Sequence, residues 1–264
     1  MLFFTNLLLF ESVTSTSMSY FNIIKLNATP STNDFLKERH QKGLCKEGDL
    51  VWAKDQTSGR GQRDRTWVSS FENSLTFSIY KTYEHFSSAH TFAISAAVAV
   101  GIMNALHALN IQNLSIKWPN DILSENKKIA GILIENIFKQ GNLKASIIGI
   151  GLNINQMEFQ DLPNATSLAL ATDKKWEVNL VFKTLKVELE KILFSLDSII
   201  LNDLFSEYTK LLWRKDKITI FKKNGKYLNA ILKGITTSGS LIIEDEKGEI
   251  MELTSNQVRM LYDN

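Results

Sequence analysis

The chain has 264 residues, of which 44% are hydrophobic and 22% are charged, which is the balance of a globular protein with a sizeable core. Thirty Lys and Arg against 28 Asp and Glu leave a net charge of +2, which argues against a polyanionic partner such as nucleic acid. The single cysteine, Cys45, cannot form an intramolecular disulfide, so a reducing, cytoplasmic location is favoured.

The N-terminal segment is apolar but does not have the pattern of an export signal. Its first ten residues are mostly Leu and Phe, and no Lys or Arg precedes Lys25, whereas a secretory signal begins with a basic region. The apolar run is also far shorter than the ~20 residues that span a bilayer. We therefore interpret residues 1–17 as a mis-assigned or disordered leader, with Met18 as the true initiator and no membrane role.

Hydrophobic periodicity predicts an alternation of strands and helices. Strands are predicted, in chain order, at residues 20–26, 50–54, 75–80, 115–117, 128–136 and 147–154. Helices are predicted after the capping-box spacing of Ser31 and Asp34, and over residues 92–109, 180–196 and 201–212. The polar segment 55–72 is predicted to be a loop, and the apolar–polar alternation of 75–80 is typical of a half-buried strand.

The composition changes after Trp213. From there on, the chain contains only short β-rich runs, separated by turns such as Asn224-Gly225. This spacing predicts a small five-stranded barrel. We therefore predict a catalytic domain over residues 18–213 and a small C-terminal domain over residues 214–264.

The segment 59–67 (GRGQRDRTW) is the most informative of the candidate binding segments. Its glycines let backbone N–H groups approach a ligand, its three arginines supply fixed cations, and Trp67 offers a flat face to a purine. Such a loop suits a phosphate or a carboxylate. A solvated basic surface loop is an equally good interpretation of this segment alone.

Two further segments place lysines at strand ends. In 117–121 (KWPND), Lys117 suits a phosphate oxygen and Asp121 suits a phosphate-bound magnesium ion. A turn in which Asn120 and Asp121 bond their own backbone is the simpler alternative. Lys128 begins an apolar strand, so its ammonium points either into a cleft or, as most such lysines do, into solvent.

The segment 149–155 (GIGLNIN) places two glycines inside a predicted strand. Glycines in a strand mark either a bulge or the close approach of another group. Asn153 adds one side chain with both a donor and an acceptor.

The order of these segments is more specific than any one of them. The chain has STN at 31–33, then Gln56, the GRG loop, KWPND, KIAG at 128–131, GIGLNIN, and LPNATSL at 162–168. Motif for motif, this series resembles the biotin protein ligase family, and the resemblance runs from about Ser31 to the C-terminus.

The resemblance implies an α+β fold, in which a mixed β-sheet with helices resembles the class II aminoacyl-tRNA synthetase core and a small SH3-like β-barrel follows. It implies an ATP-dependent ligase that forms biotinyl-5′-AMP and transfers biotin to a specific lysine of a biotin carboxyl carrier protein, using ATP, Mg²⁺ and biotin. Only about thirty residues precede Ser31, so we expect the ligase-only type without a DNA-binding domain. Relatives often pair through the sheet, which leaves monomer and homodimer open.

The resemblance also implies roles for individual residues. Lys128 and Arg60 would be the catalytic cations, with Lys128 contacting both the biotin carboxylate and the α-phosphate. The biotin-binding residues would be Ser31, Thr32, Asn33, Gln56, Gly59, Arg60, Gly61, Gln62, Lys128 and Gly131. The nucleotide-binding residues would be Arg63, Arg65, Trp67, Lys117, Asn120, Asp121 and Asn153, with Asp121 also serving magnesium through the phosphates.

The loop departs from the family pattern at two positions. Gln62 stands where some relatives have arginine, and Asp64 stands where a glycine is common. We hypothesise that these changes let the loop hold the acyl-adenylate less tightly.

Two other functions are compatible with parts of the pattern. A lipoate or octanoate ligase of the same fold shares the adenylation chemistry, but the GRG loop and the predicted barrel favour biotin. A non-catalytic biotin-binding or regulatory protein is the other alternative, and the retention of Arg60, Lys117 and Lys128 argues against it. No residue stands out as the general base of the transfer step.

Overall fold

A computed structural model describes residues 19–63, 65–196 and 201–262 of the chain. The leader predicted over residues 1–17, the initiator Met18 and the hypothesis about Asp64 therefore lie outside the described residues. Within the described ranges, no helix has both the length and the apolar character needed to cross a membrane.

The described residues form two β-sheets and five α-helices. The strands are β1 (Asn22–Thr29), β2 (Asp49–Gln56), β3 (Ser74–Thr82), β4 (Leu114–Lys117), β5 (Asp121–Ser124), β6 (Lys127–Lys139), β7 (Asn142–Asn153), β8 (Ile218–Lys223), β9 (Lys226–Ile235), β10 (Leu241–Asp245), β11 (Ile250–Leu253) and β12 (Val258–Met260). The helices are α1 (Thr32–Gln41), α2 (Phe92–Ala108), α3 (Leu168–Thr172), α4 (Val178–Phe194) and α5 (Leu201–Lys210), with a 3₁₀ turn at Ser88–His90.

The larger sheet is mixed, as predicted. Its seven strands have the order β1-β2-β3-β7-β6-β5-β4. The β1–β2 pair is parallel, and every other neighbouring pair is antiparallel. The five remaining strands form a second, antiparallel sheet in the order β11-β10-β9-β8-β12. An α+β fold with two sheets is therefore confirmed.

Strand β3 is buried on both faces, so the prediction of a half-buried strand is wrong. Its apolar residues, such as Phe77, pack into the main core, against which α2 and α4 also lie. On the other face, Tyr80 joins a second small cluster with Leu36 of α1 and Val51 of β2. On this face α1 packs against the strand, and the buried Ser78 hydroxyl lies within hydrogen-bond distance of Thr32 and Asn33.

Helix α1 begins where the capping-box spacing predicted. Ser31 is the N-cap in an extended conformation, and its hydroxyl accepts a hydrogen bond from the backbone N–H of Asp34 at 3.4 Å. Such a cap satisfies one of the backbone donors left free at a helix start. It also buries Thr32 and Asn33 in the first turn, against the face of the large sheet.

The second sheet is joined to the first through a shared core. Leu232 and Ile243 of the second sheet belong to the same hydrophobic cluster as α2. The Trp118 indole N–H donates to the backbone carbonyl of Gly239 at 2.9 Å, so a turn of the second sheet holds the segment after β4. The C-terminal strands are therefore fixed against one edge of the large sheet.

Candidate active site

A cavity of about 400 Å³ opens on the face of the large sheet that carries α1. All of the site residues predicted from the sequence line it, except Gly59. Gly59, the first residue of the loop, is buried, and its carbonyl accepts a hydrogen bond from the backbone N–H of Trp67 at 2.9 Å. The structure thus brings together segments that lie more than a hundred residues apart in the chain.

The floor of the cavity is made of glycines on β6 and β7. Gly131 pairs with Gly151, and the pairing of both strands continues unbroken through Gly149. The bulge alternative for these glycines is therefore wrong. A methyl group at Gly151 would overlap the Trp67 ring, and one at Gly149 would overlap the Asn33 amide. The glycines are needed because these two side chains lie directly on the sheet.

One end of the cavity is a chain of polar side chains. The Gln56 Oε1 atom accepts hydrogen bonds from the Thr32 backbone N–H at 2.7 Å and from its hydroxyl at 3.1 Å. The buried Ser78 hydroxyl lies 2.7 Å from the Thr32 hydroxyl and 2.6 Å from the Asn33 Oδ1 atom. Ser78 was not predicted as a site residue, because it is one of several polar residues in the alternating pattern of β3.

Arg60 lies at this same end and is held by two carboxylates. Its guanidinium is 2.6 Å from Asp34 on α1 and 2.7 Å from Glu135 on β6. Glu135 also accepts a hydrogen bond from the Asn33 amide at 2.9 Å. The sequence analysis did not assign roles to Asp34 and Glu135, because neither carboxylate lies near Arg60 in the chain.

Lys128 points into the cavity, so the solvated alternative is wrong. Its ammonium is 2.6 Å from the Asp121 carboxylate and 5.5 Å from the centre of the Trp67 ring. The Asn120 amide donates to the backbone carbonyl of Ile132 on β6 at 2.8 Å. Asn120 and Asp121 thus bond across to β6 rather than to their own turn, and the simpler alternative for KWPND is also wrong.

Lys117 is a buried cation in the same cavity. Its side chain is 7% exposed, and its ammonium is 4.5 Å from the centre of the Tyr262 ring. Burial lowers the pKa of Lys117 to about 8, because the charged form loses its hydration. The charges of Arg259, Lys128 and Arg65 lower this pKa further, while Asp121 opposes them.

Two polar atoms in the cavity wall are buried without a hydrogen-bond partner among the described residues. They are the indole N–H of Trp67 and the Oδ1 atom of Asn153. The Asn153 amide group itself donates to the Thr166 carbonyl at 3.0 Å, which fixes the orientation of the unpaired oxygen. Buried polar atoms in proteins are usually paired, so these two are exceptions in the wall of the cavity.

The C-terminal sheet contributes residues to the cavity that the sequence analysis missed. They are Ser255, Val258, Arg259, Met260 and Tyr262. Arg259 in particular adds a cation to the side where Lys117 and Arg65 lie. No local signal predicted this, because a basic residue in a short C-terminal strand resembles any solvated surface residue.

Comparisons with known proteins agree with one another. The model of the Biotin/lipoate A/B protein ligase family matches residues 26–153. The bifunctional ligase/repressor BirA of Salmonella typhimurium is 30% identical over 229 residues, which are 85% of this chain and 70% of that protein. A biotin–[acetyl-CoA-carboxylase] ligase of Mycobacterium tuberculosis is 30% identical over 143 residues, which are 53% of this chain and 52% of that protein.

The fold is also similar to that of solved structures. The biotin protein ligase from Aquifex aeolicus, in complex with biotin and ATP, superposes with a TM-score of 0.78 at 25% identity. The match covers 92% of this chain and 99% of that one, so it includes both sheets. Taken with the sequence relatives and the order of the motifs around the cavity, this similarity shows that the chain belongs to the biotin protein ligase family.

Proposed function

We propose that this chain activates biotin with ATP to form biotinyl-5′-AMP and then transfers biotin to a lysine of a biotin carboxyl carrier protein. The observation that carries the proposal is the distribution of polar and charged side chains along one cavity. This cavity has a polar end at Thr32 and Gln56, where Arg60 is paired with two carboxylates, and a cationic end at Lys117, Lys128 and Arg259. The first end suits a ureido ring, and the second suits a triphosphate.

The charges of the cavity fit the chemistry of the first step. A carboxylate that attacks an α-phosphate brings two anions together, so the barrier is largely electrostatic. Lys128 extends from the strand that forms the floor, beside Trp67 and Asp121, so we assign it to the meeting point of biotin and nucleotide. Lys117 and Arg259 would neutralise the phosphates. In this assignment Arg60 lies on the biotin side, as a cation of the loop.

The nucleobase would lie on the Trp67 side of the cavity. The Trp67 ring lies against Gly151, and Asn153 lies in the same wall, with its Oδ1 atom unpaired among the described residues. The mixed anhydride hydrolyses readily in water, so a loop that covers it protects the product. Segment 59–67 runs from the biotin end to Trp67 and is placed to provide that cover.

Magnesium would enter with the nucleotide. Among the described residues, no three His, Cys, Asp or Glu side chains are grouped closely enough to hold a metal ion on their own. Mg²⁺ usually keeps several waters and uses one or two carboxylates together with substrate phosphates. Asp121 fits that limited role, and the ion would supply further neutralisation of the phosphate charge.

We also propose the finer features that the family resemblance implies. The seven-stranded sheet would correspond to a class II synthetase-like catalytic domain over residues 18–213, and the five-stranded sheet to an SH3-like domain over 214–264. The near balance of charge supports a protein without a nucleic-acid partner. A homodimer through the sheet stays a prediction, which sedimentation of the purified chain would test.

The adenylation step is tested by incubating the purified chain with ATP, Mg²⁺ and either biotin or lipoate, and detecting acyl-adenylate by mass spectrometry. We expect adenylate only with biotin. Lys128→Ala should slow its formation by at least ~100-fold, the usual cost of losing one charge-stabilising group. Lys139→Ala, at the exposed far end of the same strand, is the matched control and should leave the rate unchanged.

The alternatives predict different outcomes in the same assay. Adenylate formed only with lipoate would identify a lipoate ligase. Tight binding of biotin without any adenylate would identify a binding protein, and full activity of Lys128→Ala would refute the assignment of that lysine.

A further inference from the structure

We propose that Glu135 is a positioning residue. It holds Arg60, and with it the loop that begins at Gly59, and at the same time fixes the orientation of the Asn33 amide. The inference rests on the proposed function for its effect on biotin. The effect of Glu135 on the loop depends on contacts within the protein and can be measured without substrate.

A single carboxylate oxygen of Glu135 contacts both the loop, at Arg60, and helix α1, at Asn33. Its Oε2 atom is 2.7 Å from the Arg60 guanidinium and 2.9 Å from the Asn33 Nδ2 atom. Its other oxygen is 3.7 Å from the Lys37 ammonium, in a half-exposed pair that contributes little. Glu135 itself extends from β6, a long strand in the middle of the sheet, so its backbone is a fixed support.

The contact with Asn33 sets which way the amide faces. With Nδ2 directed to Glu135, the Oδ1 atom is left to accept from the Ser78 hydroxyl at 2.6 Å. The Thr32 hydroxyl lies 2.7 Å from the Ser78 hydroxyl, and the Thr32 backbone N–H donates to Gln56 at 2.7 Å. The carboxylate therefore stands at one end of a continuous hydrogen-bonded chain that runs along the polar end of the cavity.

The contact with Arg60 fixes the loop near its first residue. Segment 59–67 turns back on itself, with a bridge between Arg60 and Thr66 and a hydrogen bond from the Gly61 N–H to the Arg65 carbonyl. Its far end is fixed because Trp67 lies on the sheet. Its near end is also held by backbone hydrogen bonds, from Ser58 to Pro30 and from Trp67 to Gly59, and the ion pairs of Arg60 with Asp34 and Glu135 add a side-chain anchor there.

The carboxylate is ionised over the whole neutral range. Burial alone would raise the pKa of Glu135, but hydrogen bonds from Asn33 and Arg60 outweigh it, and the charges of Arg60 and Lys37 add to them. The result is a pKa below the ordinary value of 4.5. Glu135 is not among the residues that line the cavity, whereas Arg60 and Asn33 are, so Glu135 acts through these two residues.

The first test is loop mobility, measured without substrate as trypsin cleavage after Arg63 and Arg65. Glu135→Gln keeps the shape but removes the charge, so we expect cleavage about tenfold faster than in the wild type at an unchanged melting temperature. Glu207→Gln removes a carboxylate from the exposed pair with Lys210 on α5 and is the matched control. It should not change the cleavage rate.

The second test asks whether Glu135 acts through Arg60. Arg60→Gln should also speed cleavage after Arg63 and Arg65, and the double variant should be cut no faster than Arg60→Gln alone. Glu135→Asp keeps the charge with a shorter reach, so it should fall between wild type and Glu135→Gln. Glu135→Asp also replaces Glu135→Gln as the test variant if Glu135→Gln proves poorly folded.

The third test is kinetic. In adenylate formation, Glu135→Gln should raise the KM for biotin about tenfold and change kcat and the KM for ATP much less, because both of its partners lie at the biotin end. Wild-type cleavage rates in both Glu135 variants, or additive effects in the double variant, would overturn the proposal. A wild type that forms no adenylate would refute the proposed function, while the cleavage tests would still decide the role of Glu135.

Discussion

At the scale of single residues, the cavity depends on cations placed where water cannot easily reach them. Lys117 is 7% exposed and shares its surroundings with Arg65, Lys128 and Arg259. Holding a charged lysine there costs about 3 kcal/mol, the equivalent of lowering its pKa from 10.5 to about 8. A triphosphate would remove that cost, because its negative charge stabilises the protonated lysine. The unfavourable position of Lys117 is thus consistent with an anion-binding role.

This position predicts how nucleotide affinity depends on pH. Below pH 8, Lys117 is protonated and attracts the phosphates; as the pH rises through its pKa of about 8, the free chain loses that charge. The KM for ATP should therefore increase above pH 8, approaching about tenfold per pH unit once the pH is well above this pKa. Calorimetry near pH 8 should also detect proton uptake on nucleotide binding.

Lys117→Arg is the variant that isolates this effect. Arginine stays charged at every accessible pH, so the pH dependence of the KM for ATP should flatten even if the absolute affinity changes. An equally steep dependence in Lys117→Arg would assign the titration to another group.

At the scale of elements, strand β7 divides the cavity into two ends. Gly149 lies under Asn33 and Gly151 lies under Trp67, two residues apart on the same face. A strand position normally tolerates alanine well, so these two glycines reflect the close approach of other side chains rather than a need of the backbone.

Substituting the two glycines separately should therefore give two different defects. Gly149→Ala should displace Asn33 and raise the KM for biotin, whereas Gly151→Ala should displace Trp67 and raise the KM for ATP. Each should cost about 1–3 kcal/mol of stability, the range for overpacking. The two variants control for each other, and identical effects on both KM values would contradict the division of the cavity.

Elements with local signals could be predicted from the sequence. The cap at Ser31 and helix α2 are encoded by neighbouring residues, and the structure has them where the pattern placed them. The short strand β5 and the short helix α3 were not predicted. Strand β7 was predicted to begin at residue 147 but begins at Asn142. Residues 142–146 alternate polar side chains with Leu143 and Ala145, which are both buried, so the period-2 pattern of a strand was present there but was not recognised.

Contacts between distant segments could not be predicted in the same way. The family resemblance named Arg60 and Lys117, but no local pattern links Arg60 to Glu135 or Lys117 to Tyr262. These pairs depend on the order of strands in the sheet and on the packing of the C-terminal strands. The partners that hold the assigned residues are therefore visible only in the structure.

At the scale of the whole molecule, the second sheet completes the site. It shares the core with α2, and its last strand and C-terminal segment bring Arg259 and Tyr262 to the cavity. The Trp118 hydrogen bond to Gly239 ties the KWPND turn to the same sheet. The end that we assign to the nucleotide is thus built by both halves of the chain, whereas the end that we assign to biotin is built by the large sheet and α1.

This division predicts a selective effect of Arg259. Arg259→Ala should raise the KM for ATP by about tenfold, as expected for the loss of one charged contact, and leave the KM for biotin unchanged. Lys247→Ala, at an exposed turn of the same sheet, is the control and should behave as the wild type. Equal weakening of both substrates by Arg259→Ala would show that the C-terminal sheet supports the cavity as a whole rather than the nucleotide end.

The most direct test of the central claim is the intact mass of a biotin carboxyl carrier domain after incubation with this chain, ATP, Mg²⁺ and biotin. We predict the addition of one biotinyl group, absent when the acceptor lysine is replaced by arginine and absent with the Lys128→Ala ligase. An unchanged carrier mass while biotinyl-adenylate accumulates, or biotin added to many lysines without preference, would contradict the account.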